Sequence, residues 1–427
     1  MNPIFKEYCK FLEDKIGLKL NEGYFWLDNQ IIKAFDKQGN IHKLYRLKIE
    51  NDLSMSYKVP NGYSNIEDVE IESWQETIDR NKEHIKEITV ESKNLIKECL
   101  KLYEDYSPII LTSGGKDSSV TMDLVRQINP NIMAIFNNTT LDCADTYMHM
   151  KTVDNVQCIN PKEGFYQWRK RLDFIPTRFA RACCSIFKEG AMMSALDKND
   201  KYVFFLGMRN EESSARSDYE DYWKNEKWGE NWFGCLPIRK WSELDIWLYL
   251  LVNNVSFNPK YRKGYARAGC AIACPFASKS TWVLDKYWYP TMRNRWENIL
   301  SEDFIANKKW IIMNCTIDEY LTQAWNGGVF RKEPIKEVIK EYAEYSNLNE
   351  KVAAQYFNKY CDNGCKSQSG KLKRIKAKDV IGMNLKYHGR NVNKFYCKKC
   401  LMKMYNMDEE KWDKQVKRFK QSGCDLF

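Results

Sequence analysis

The segment Ser113-Gly114-Gly115-Lys116-Asp117-Ser118-Ser119 constrains this 427-residue chain more than any other. It follows an apolar run, Pro108-Ile109-Ile110-Leu111-Thr112, that reads as a short buried strand. It precedes Ser118 to Gln127, which reads as a helix with Val120, Leu124, Val125 and Ile128 along one side. Two glycines let the backbone turn tightly and approach a ligand closely. The first amides of the following helix lack internal partners, and the helix dipole adds partial positive charge there. A pyrophosphate fits that end, with a full charge from Lys116 and donors from the serine hydroxyls. The loop is not a Walker A loop, because G-x-x-x-x-G-K-[ST] is absent. The bland alternative is a glycine turn before an ordinary helix.

The surrounding pattern sets the fold class. Ile132-Met133-Ala134-Ile135-Phe136 and Tyr202-Val203-Phe204-Phe205-Leu206-Gly207 read as further strands, and a helix is expected from Trp241 to Asn253 that buries Trp247 and Leu251. Strands alternating with helices imply an α/β fold, a parallel twisted sheet with helices on both faces. Four regions are expected. Residues 1–105 form an N-terminal α+β extension, with short strands around the Asp28-Asn29-Gln30 turn and a long helix from Val69 to Tyr103. Residues 106–285 form the nucleotide-binding domain. Residues 286–354 are helical and aromatic-rich, and residues 355–427 are basic and cysteine-bearing. The extension carries no chemical motif.

The heptapeptide resembles the signature of PP-loop enzymes, and two further blocks carry the resemblance on. Gly207-Met208-Arg209-Asn210-Glu211-Glu212-Ser213-Ser214-Ala215-Arg216 follows a strand and matches the G-x-R-x-x-E-S-x-x-R pattern of phosphoadenosine-phosphosulfate (PAPS) reductases and their relatives. Asn258-Pro259-Lys260-Tyr261-Arg262-Lys263-Gly264-Tyr265, Cys270 and Cys274-Pro275 then follow in the family's order. The resemblance implies an adenine nucleotide alpha-hydrolase-like fold that binds ATP with Mg2+ and splits it to AMP and pyrophosphate. It implies nucleotide contacts from Ser113, Gly114, Gly115, Lys116, Asp117, Ser118, Ser119, Arg209, Glu212, Ser213 and Arg216. Lys116, Asp117, Arg209 and Arg216 are the expected catalytic groups. Arg209 and Arg216 offer paired donors to a phosphate, and Glu212 is expected to hold one arginine. Phe136-Asn137-Asn138-Thr139-Thr140 departs from the Asp-Thr-Gly that relatives carry after the second strand.

Two cysteine sets suggest metals. Adenylylsulfate reductases in this family hold a [4Fe–4S] cluster with a double cysteine and a later C-x-x-C, which implies Cys183, Cys184, Cys270 and Cys274 as ligands here. The later pair is C-x-x-x-C, one residue longer. Zinc, or small buried thiols without metal, are the alternatives. Cys361-Asp362-Asn363-Gly364-Cys365 and Cys397-Lys398-Lys399-Cys400 have the spacing of a zinc-ribbon-like module in which two turns share one Zn2+. The stretch between them is basic, and His388 is a possible substitute ligand. Cys424 reads as an exposed tail cysteine, because the Glu-Cys-Gly motif of true reductases is not reproduced.

Composition narrows the partners. The formal charge of +10 favours an anionic partner. The chain begins without a signal-like apolar core and has no run of about 18 apolar residues, so a cytoplasmic protein without a membrane partner is expected. The 15 cysteines then read as reduced thiols and metal ligands. The leading expectation is ATP-dependent adenylation and sulfur transfer, similar to DndC-type proteins of DNA phosphorothioation. Its partners would be an adenine nucleotide, a nucleic-acid substrate and a cysteine-desulfurase-type sulfur donor. The alternatives are a sulfonucleotide reductase that releases sulfite and a nucleic-acid-binding regulator that senses nucleotide.

Overall fold

Two sheets organise the chain in the computed structural model. It describes all residues except 181, 213–218, 225–227, 270–271, 328–334, 358–359, 367–372, 374, 376, 390–393, 423 and 425–427. The first sheet is antiparallel: β1 (Asn2–Pro3), β2 (Trp26–Asp28), β3 (Ile31–Phe35), β4 (Ile41–Ile49) and β5 (Met55–Lys58) lie side by side in chain order. Helix α1 (Lys6–Ile16) packs on it and ends at Gly17, whose φ of 68° gives the left-handed cap that glycine adopts at least cost.

The long helix α2 runs from Trp74 to Leu102, five residues shorter at its start than the apolar spacing suggested. A capping box sets the boundary. The Ser73 hydroxyl accepts from the Glu76 amide at 3.3 Å, and the Glu76 carboxylate accepts from the Ser73 amide at 2.7 Å. Upstream, Ile71 pairs with Asp36 in an isolated antiparallel bridge, so that stretch is already extended.

The second sheet has the order β10-β11-β9-β6-β7-β8. Its strands are β6 (Ser107–Thr112), β7 (Ala134–Asn137), β8 (Val156–Ile159), β9 (Tyr202–Leu206), β10 (Tyr222–Trp223) and β11 (Trp232–Cys235). Neighbours are parallel except at one edge, where β10 pairs antiparallel with β11. The wholly parallel expectation fails there for a simple reason: the short link between β10 and β11 is enough for an antiparallel return, whereas a parallel one needs a long crossover. After β6 the chain builds β7 and β8 on one side, then returns to place β9 on the other. The sheet therefore reverses direction at β6, and ligands of open α/β sheets bind outside strand C-termini at such a point.

Helices cover both faces. On the crossovers lie α3 (Lys116–Arg126), α4 (Ala144–Lys151), α5 (Phe165–Leu172) and α6 (Ala191–Ala195), and α7 (Glu243–Val252) follows the last strand. Alternate strand residues face opposite ways. Ile110, Val203 and Phe205 pack with Ile96 of α2, Val120 of α3 and Trp247 of α7. Ile109, Ile135 and Phe204 pack with Met192 of α6. Trp247 is fully buried as expected, whereas Leu251 near the end of α7 is only half-buried.

The C-terminal helices are α8 (Lys279–Trp288), α9 (Pro290–Ala306), α10 (Lys309–Met313), α11 (Ile317–Glu319), α12 (Lys336–Ser346), α13 (Glu350–Phe357), α14 (Lys378–His388), α15 (Lys398–Met404) and α16 (Glu409–Gln421). Trp282, Trp296, Phe304, Trp310 and Trp325 share one core with Tyr8 and Phe11 of α1 and Leu44 and Leu47 of β4. The N-terminal sheet and the helical region thus bury their apolar faces against each other. No described helix is long and apolar enough to cross a membrane.

Candidate active site and metal centre

The glycine loop lies at the reversal point of the second sheet. Gly114 has φ of 68°, a conformation L side chains rarely adopt, and a Cβ there would also sit 3.0 Å from the sulfur of Met150. Helix α3 starts at Lys116, two residues earlier than the sequence suggested, so Lys116 and Asp117 occupy its first turn. The hydroxyls of Ser118 and Ser119 turn back to the carbonyl of Gly115 at 2.9 and 3.1 Å, and Thr112 accepts from the Gly114 amide at 3.1 Å. These bonds fix the loop from inside, so the serines are engaged in shaping it.

Arg209 follows β9, the strand next to β6. Its Nε donates to Asp117 at 2.6 Å and its Nη1 to Glu211 at 2.8 Å. Lys116 Nζ lies 3.1 Å from Asp117 and 3.4 Å from Glu243, whose other oxygen accepts from the Met1 ammonium at 2.8 Å. Lys116 and Arg209 are each only 4% exposed. Burial works against both charges, but Tyr261, Asp117 and Glu243 around Lys116, and Asp117, Glu243 and Glu211 around Arg209, outweigh it and hold both pKa values above their ordinary range. Burial likewise opposes ionisation of Glu243, and Lys116, the Met1 ammonium and Arg209 reverse that, leaving its carboxyl below the usual value.

One close approach makes this geometry possible. A Cβ on Gly207 would fall 2.7 Å from the Asp117 carbonyl carbon and oxygen and 2.8 Å from the Ser118 amide nitrogen. The end of β9 therefore touches the first turn of α3 backbone to backbone. Arg209, two residues on, is thereby held beside Asp117.

Further groups brace the loop from the Asn258–Tyr265 block. The Tyr261 hydroxyl accepts from the Lys116 amide at 3.0 Å. Asn258 Nδ2 donates to the Gly114 carbonyl at 3.2 Å and to Thr146 at 2.9 Å. Tyr261 and Asn258 stood in a recognised block without an assigned role, and Glu211 and Glu243 were not singled out. Only the acid-rich start of α7 after Ser242 hinted at Glu243. Arg209 is held by Asp117 and Glu211. Ser213 and Arg216 lie outside the described residues.

The first cysteine set lies on irregular backbone. Cys184 to Gly190 form a π-helical stretch that runs directly into α6, with Cys183 at its head. Arg178, upstream, donates from Nε to the carbonyl of Pro275 at 3.3 Å, and Asn326 Nδ2 donates to the same carbonyl at 2.8 Å. Pro275 follows Cys274, so the two cysteine segments are tied together. Cys183, Cys184 and Cys274 are all partly accessible. Cys270 lies outside the described residues. The three described sulfurs do not gather tightly enough for a single ion.

The second set does gather. The sulfurs of Cys361, Cys365, Cys397 and Cys400 all lie within 4.8 Å of one another, the only such group among the described residues. Cys400 stands 3.7 Å from Cys361 and 3.3 Å from Cys365. Four thiolates about 2.3 Å from a tetrahedral zinc stand about 3.8 Å apart, so the spacing fits that ion. Cys361 bridges to Phe395, and the Phe395 amide donates to Asp362 at 2.6 Å, which joins the two turns. Cys361 is buried, which raises its pKa, yet amides of Cys397 and Asn363 pull it down to about 7. His388 packs at a tilt against Tyr396 and Tyr405 instead of joining the sulfurs. Cys424 is half-buried against the small core of Ile375, Leu385 and Phe395, not the exposed tail residue expected.

Known proteins resemble the middle of the chain. Residues 107–275 match the family described as phosphoadenosine phosphosulfate reductase domain. An uncharacterised protein of Methanocaldococcus jannaschii is 28% identical over 254 residues, 57% of this chain and 61% of its own length. An adenosine 5'-phosphosulfate reductase of Anoxybacillus flavithermus is 26% identical over 181 residues, 40% of this chain and 74% of its own. The crystal structure of a phosphoadenylyl-sulfate reductase from Candida auris aligns with a TM-score of 0.36 at 18% identity, covering 47% of this chain and 97% of its own. The chain thus spans about three fifths of the archaeal relative. The glycine loop, Gly207, Arg209 and the Asn258–Tyr265 block all fall inside residues 107–275, the span that matches the phosphoadenosine phosphosulfate reductase domain.

Proposed function

We propose that this protein splits ATP between the α and β phosphates and uses the adenylated product for sulfur transfer. The observation that carries the reading is the coupling of the helix N-terminus at Lys116–Asp117 to Arg209, on adjacent strand ends at the point where the sheet reverses. An anionic nucleotide, entering as its magnesium complex, would meet the amides of Asp117 and Ser118 in the first turn of α3, the Lys116 amide being taken by the Tyr261 hydroxyl. Lys116 and Arg209 are already charged and immobile, so they stabilise developing negative charge without reorganising. An acceptor oxygen attacks the α-phosphorus, the bond to the β-phosphate breaks, and pyrophosphate leaves with the electron pair. The outer sulfur of a persulfide from a cysteine-desulfurase-type donor then attacks the adenylated carbon, AMP leaves with the electron pair of the carbon–oxygen bond, and a second thiol reduces the resulting disulfide, so that a carbon–sulfur bond replaces the carbon–oxygen bond. A nucleic acid is the proposed acceptor.

Cys183, Cys184, Cys270 and Cys274 would hold a [4Fe–4S] cluster, which when bound supplies a site for inorganic sulfur. The four-cysteine knot would hold Zn2+ as a structural ion. The likeness to adenosine 5'-phosphosulfate reductases favours one other reading, in which the nucleotide is an adenylyl sulfate and sulfite is released. One assay separates them. Pyrophosphate from ATP that disappears in the Lys116→Ala, Asp117→Ala double variant supports adenylation, and unchanged release removes the loop from the mechanism. Sulfite from an adenylyl sulfate, without pyrophosphate from ATP, supports the reductase.

A further inference from the structure

The net charge of the chain is not spread over it. Residues 355–427 contain 18 Lys and Arg against 7 Asp and Glu, a formal charge of +11, whereas residues 1–354 contain 49 against 50 and sum to −1. The positive charge belongs entirely to the four-cysteine module, and the nucleotide-binding body is neutral.

The module displays this charge outward. Lys399 and Lys403 stand one turn apart on α15, and Lys414, Lys417 and Arg418 fall at i, i+3 and i+4 on α16. All five are exposed, and none has a carboxylate partner among the described residues. Of the acidic residues of α16, Glu409 and Glu410 lie in its first turn, and Asp413 lies one turn before Lys417 without an ion pair among the described residues. Glu409 pairs with Lys398, and Asp408 caps the helix by accepting from the Lys411 amide. The second half of α16 is therefore a largely cationic surface on which Lys420 pairs with Asp379, while Lys414, Lys417 and Arg418 have no carboxylate within ion-pair distance among the described residues. Such a surface costs self-repulsion unless an anion covers it.

Beside the sulfurs lies an aromatic group. Tyr387 and Tyr405 have ring centroids 4.5 Å apart, and His388 lies 5.2 Å from Tyr396 and 5.6 Å from Tyr405. All four rings are half-buried, so each keeps some surface for a further planar group. The tyrosines pack against the small core of the module and keep part of their surface open, and a module that carries both unpaired cations and partly open aromatic rings offers what holds a nucleic-acid strand: phosphates meet the charges and bases stack on the rings. A membrane surface would favour an apolar insertion face, but of the exposed large apolar side chains within α14 to α16 only Met404 is present.

We infer that the four-cysteine module is the nucleic-acid-holding arm of the protein. It would grip the phosphodiester backbone along α15 and α16 while the sheet domain works on the strand. The inference deepens the proposed reading by naming the surface that recruits its acceptor, and binding is measured without ATP so that the two can fail separately.

The test uses the full zinc-loaded chain with fluorescently labelled single strands of about 20 nucleotides, as RNA and as DNA of the same sequence, followed by anisotropy over a salt series. Affinity should fall linearly with salt on logarithmic axes. The Lys414→Glu, Lys417→Glu, Arg418→Glu variant should bind at least about tenfold more weakly, with a slope shallower by about 2, since each single-strand phosphate contributes about 0.7. The Lys399→Glu, Lys403→Glu variant should weaken binding in the same sense from the other helix. Zinc content and pyrophosphate release without nucleic acid should stay at wild-type levels in whichever variant is interpreted. Tighter binding of RNA or of DNA names the source of the strand. Wild-type affinity in both variants would overturn the inference. So would equal retention of the wild type by phosphatidylglycerol vesicles or by polyglutamate at the same ionic strength.

Discussion

The glycine-loop site and the four-cysteine module are both built from charged or ionisable groups, yet they are held in opposite ways. At the loop, Lys116, Asp117, Arg209 and Glu243 are fixed by two sheet strands, the first turns of α3 and α7 and a backbone contact at Gly207. In the module, seven side chains (Ile375, Leu385, Phe395, Met383, Leu401, Trp412 and Val416) make up the buried cores. A core of that size supplies little stability by itself, and small domains of this kind rely on a metal or disulfides. The first site is ordered by the fold. The second, on our reading, orders its own surroundings through zinc.

The largest effect expected from this contrast follows zinc removal. Structural zinc contributes about 10–16 kcal/mol of apparent binding free energy in small zinc domains. A strong chelator, or Cys397→Ser, should expose residues 355–427 to rapid hydrogen exchange and proteolysis and leave the sheet domain protected. Loss of protection in both regions together would break the comparison. Next in size is Lys116→Met. Removing the buried cation leaves Asp117 and Glu243 short of a partner, and breaking a buried pair costs about 3–5 kcal/mol. Chemical denaturation should show this loss in the sheet domain, with zinc content untouched.

Gly207→Ala should cost about 1–3 kcal/mol, because the new methyl meets backbone atoms that cannot rotate away. It should also weaken nucleotide binding by displacing Arg209. A variant as stable as wild type would show that β9 and α3 can separate freely. The smallest effect is on pH dependence. The folded-state pKa of Glu243 is depressed, so its contribution is present above the unfolded value and lost as pH falls through the folded value. Glu243→Gln should flatten the acid limb of the stability curve below the ordinary value of 4.5. An identical acid limb in both proteins would mean that the carboxylate is not ionically held.

The sequence disclosed the chemistry of the loop more fully than its mechanics. Strand, glycines and helix were legible because each is a local signal. Arg209 was legible because a fixed spacing surrounds it. Glu243 and Tyr261 were not assigned roles, since each reaches the loop from another element across the tertiary fold, and no local periodicity reports such a meeting. The start of α2 was misplaced because Ile71 fits the apolar spacing, while Ser73 and Glu76 decide where the helix begins. The cysteine pairs at 361–365 and 397–400 were readable as one group from spacing alone. By contrast, His388 was offered as a ligand only because it lies between them, and its ring is engaged by tyrosines.

The π-helical stretch from Cys184 to Gly190 has a consequence for the phase of the segment it interrupts. Phe187 packs into the core shared by α1 and the C-terminal helices, whereas Ala191 and Met192 pack under the second sheet. In a regular α-helix, positions 187 and 191 would lie on the same side and seek the same core. The wider turn delays the rotation, so one continuous segment can serve two cores and still carry Cys183 and Cys184 at its head. A one-residue deletion within the stretch would restore the regular rhythm. The segment would then have to give up either its place beneath the sheet or the present facing of its cysteines.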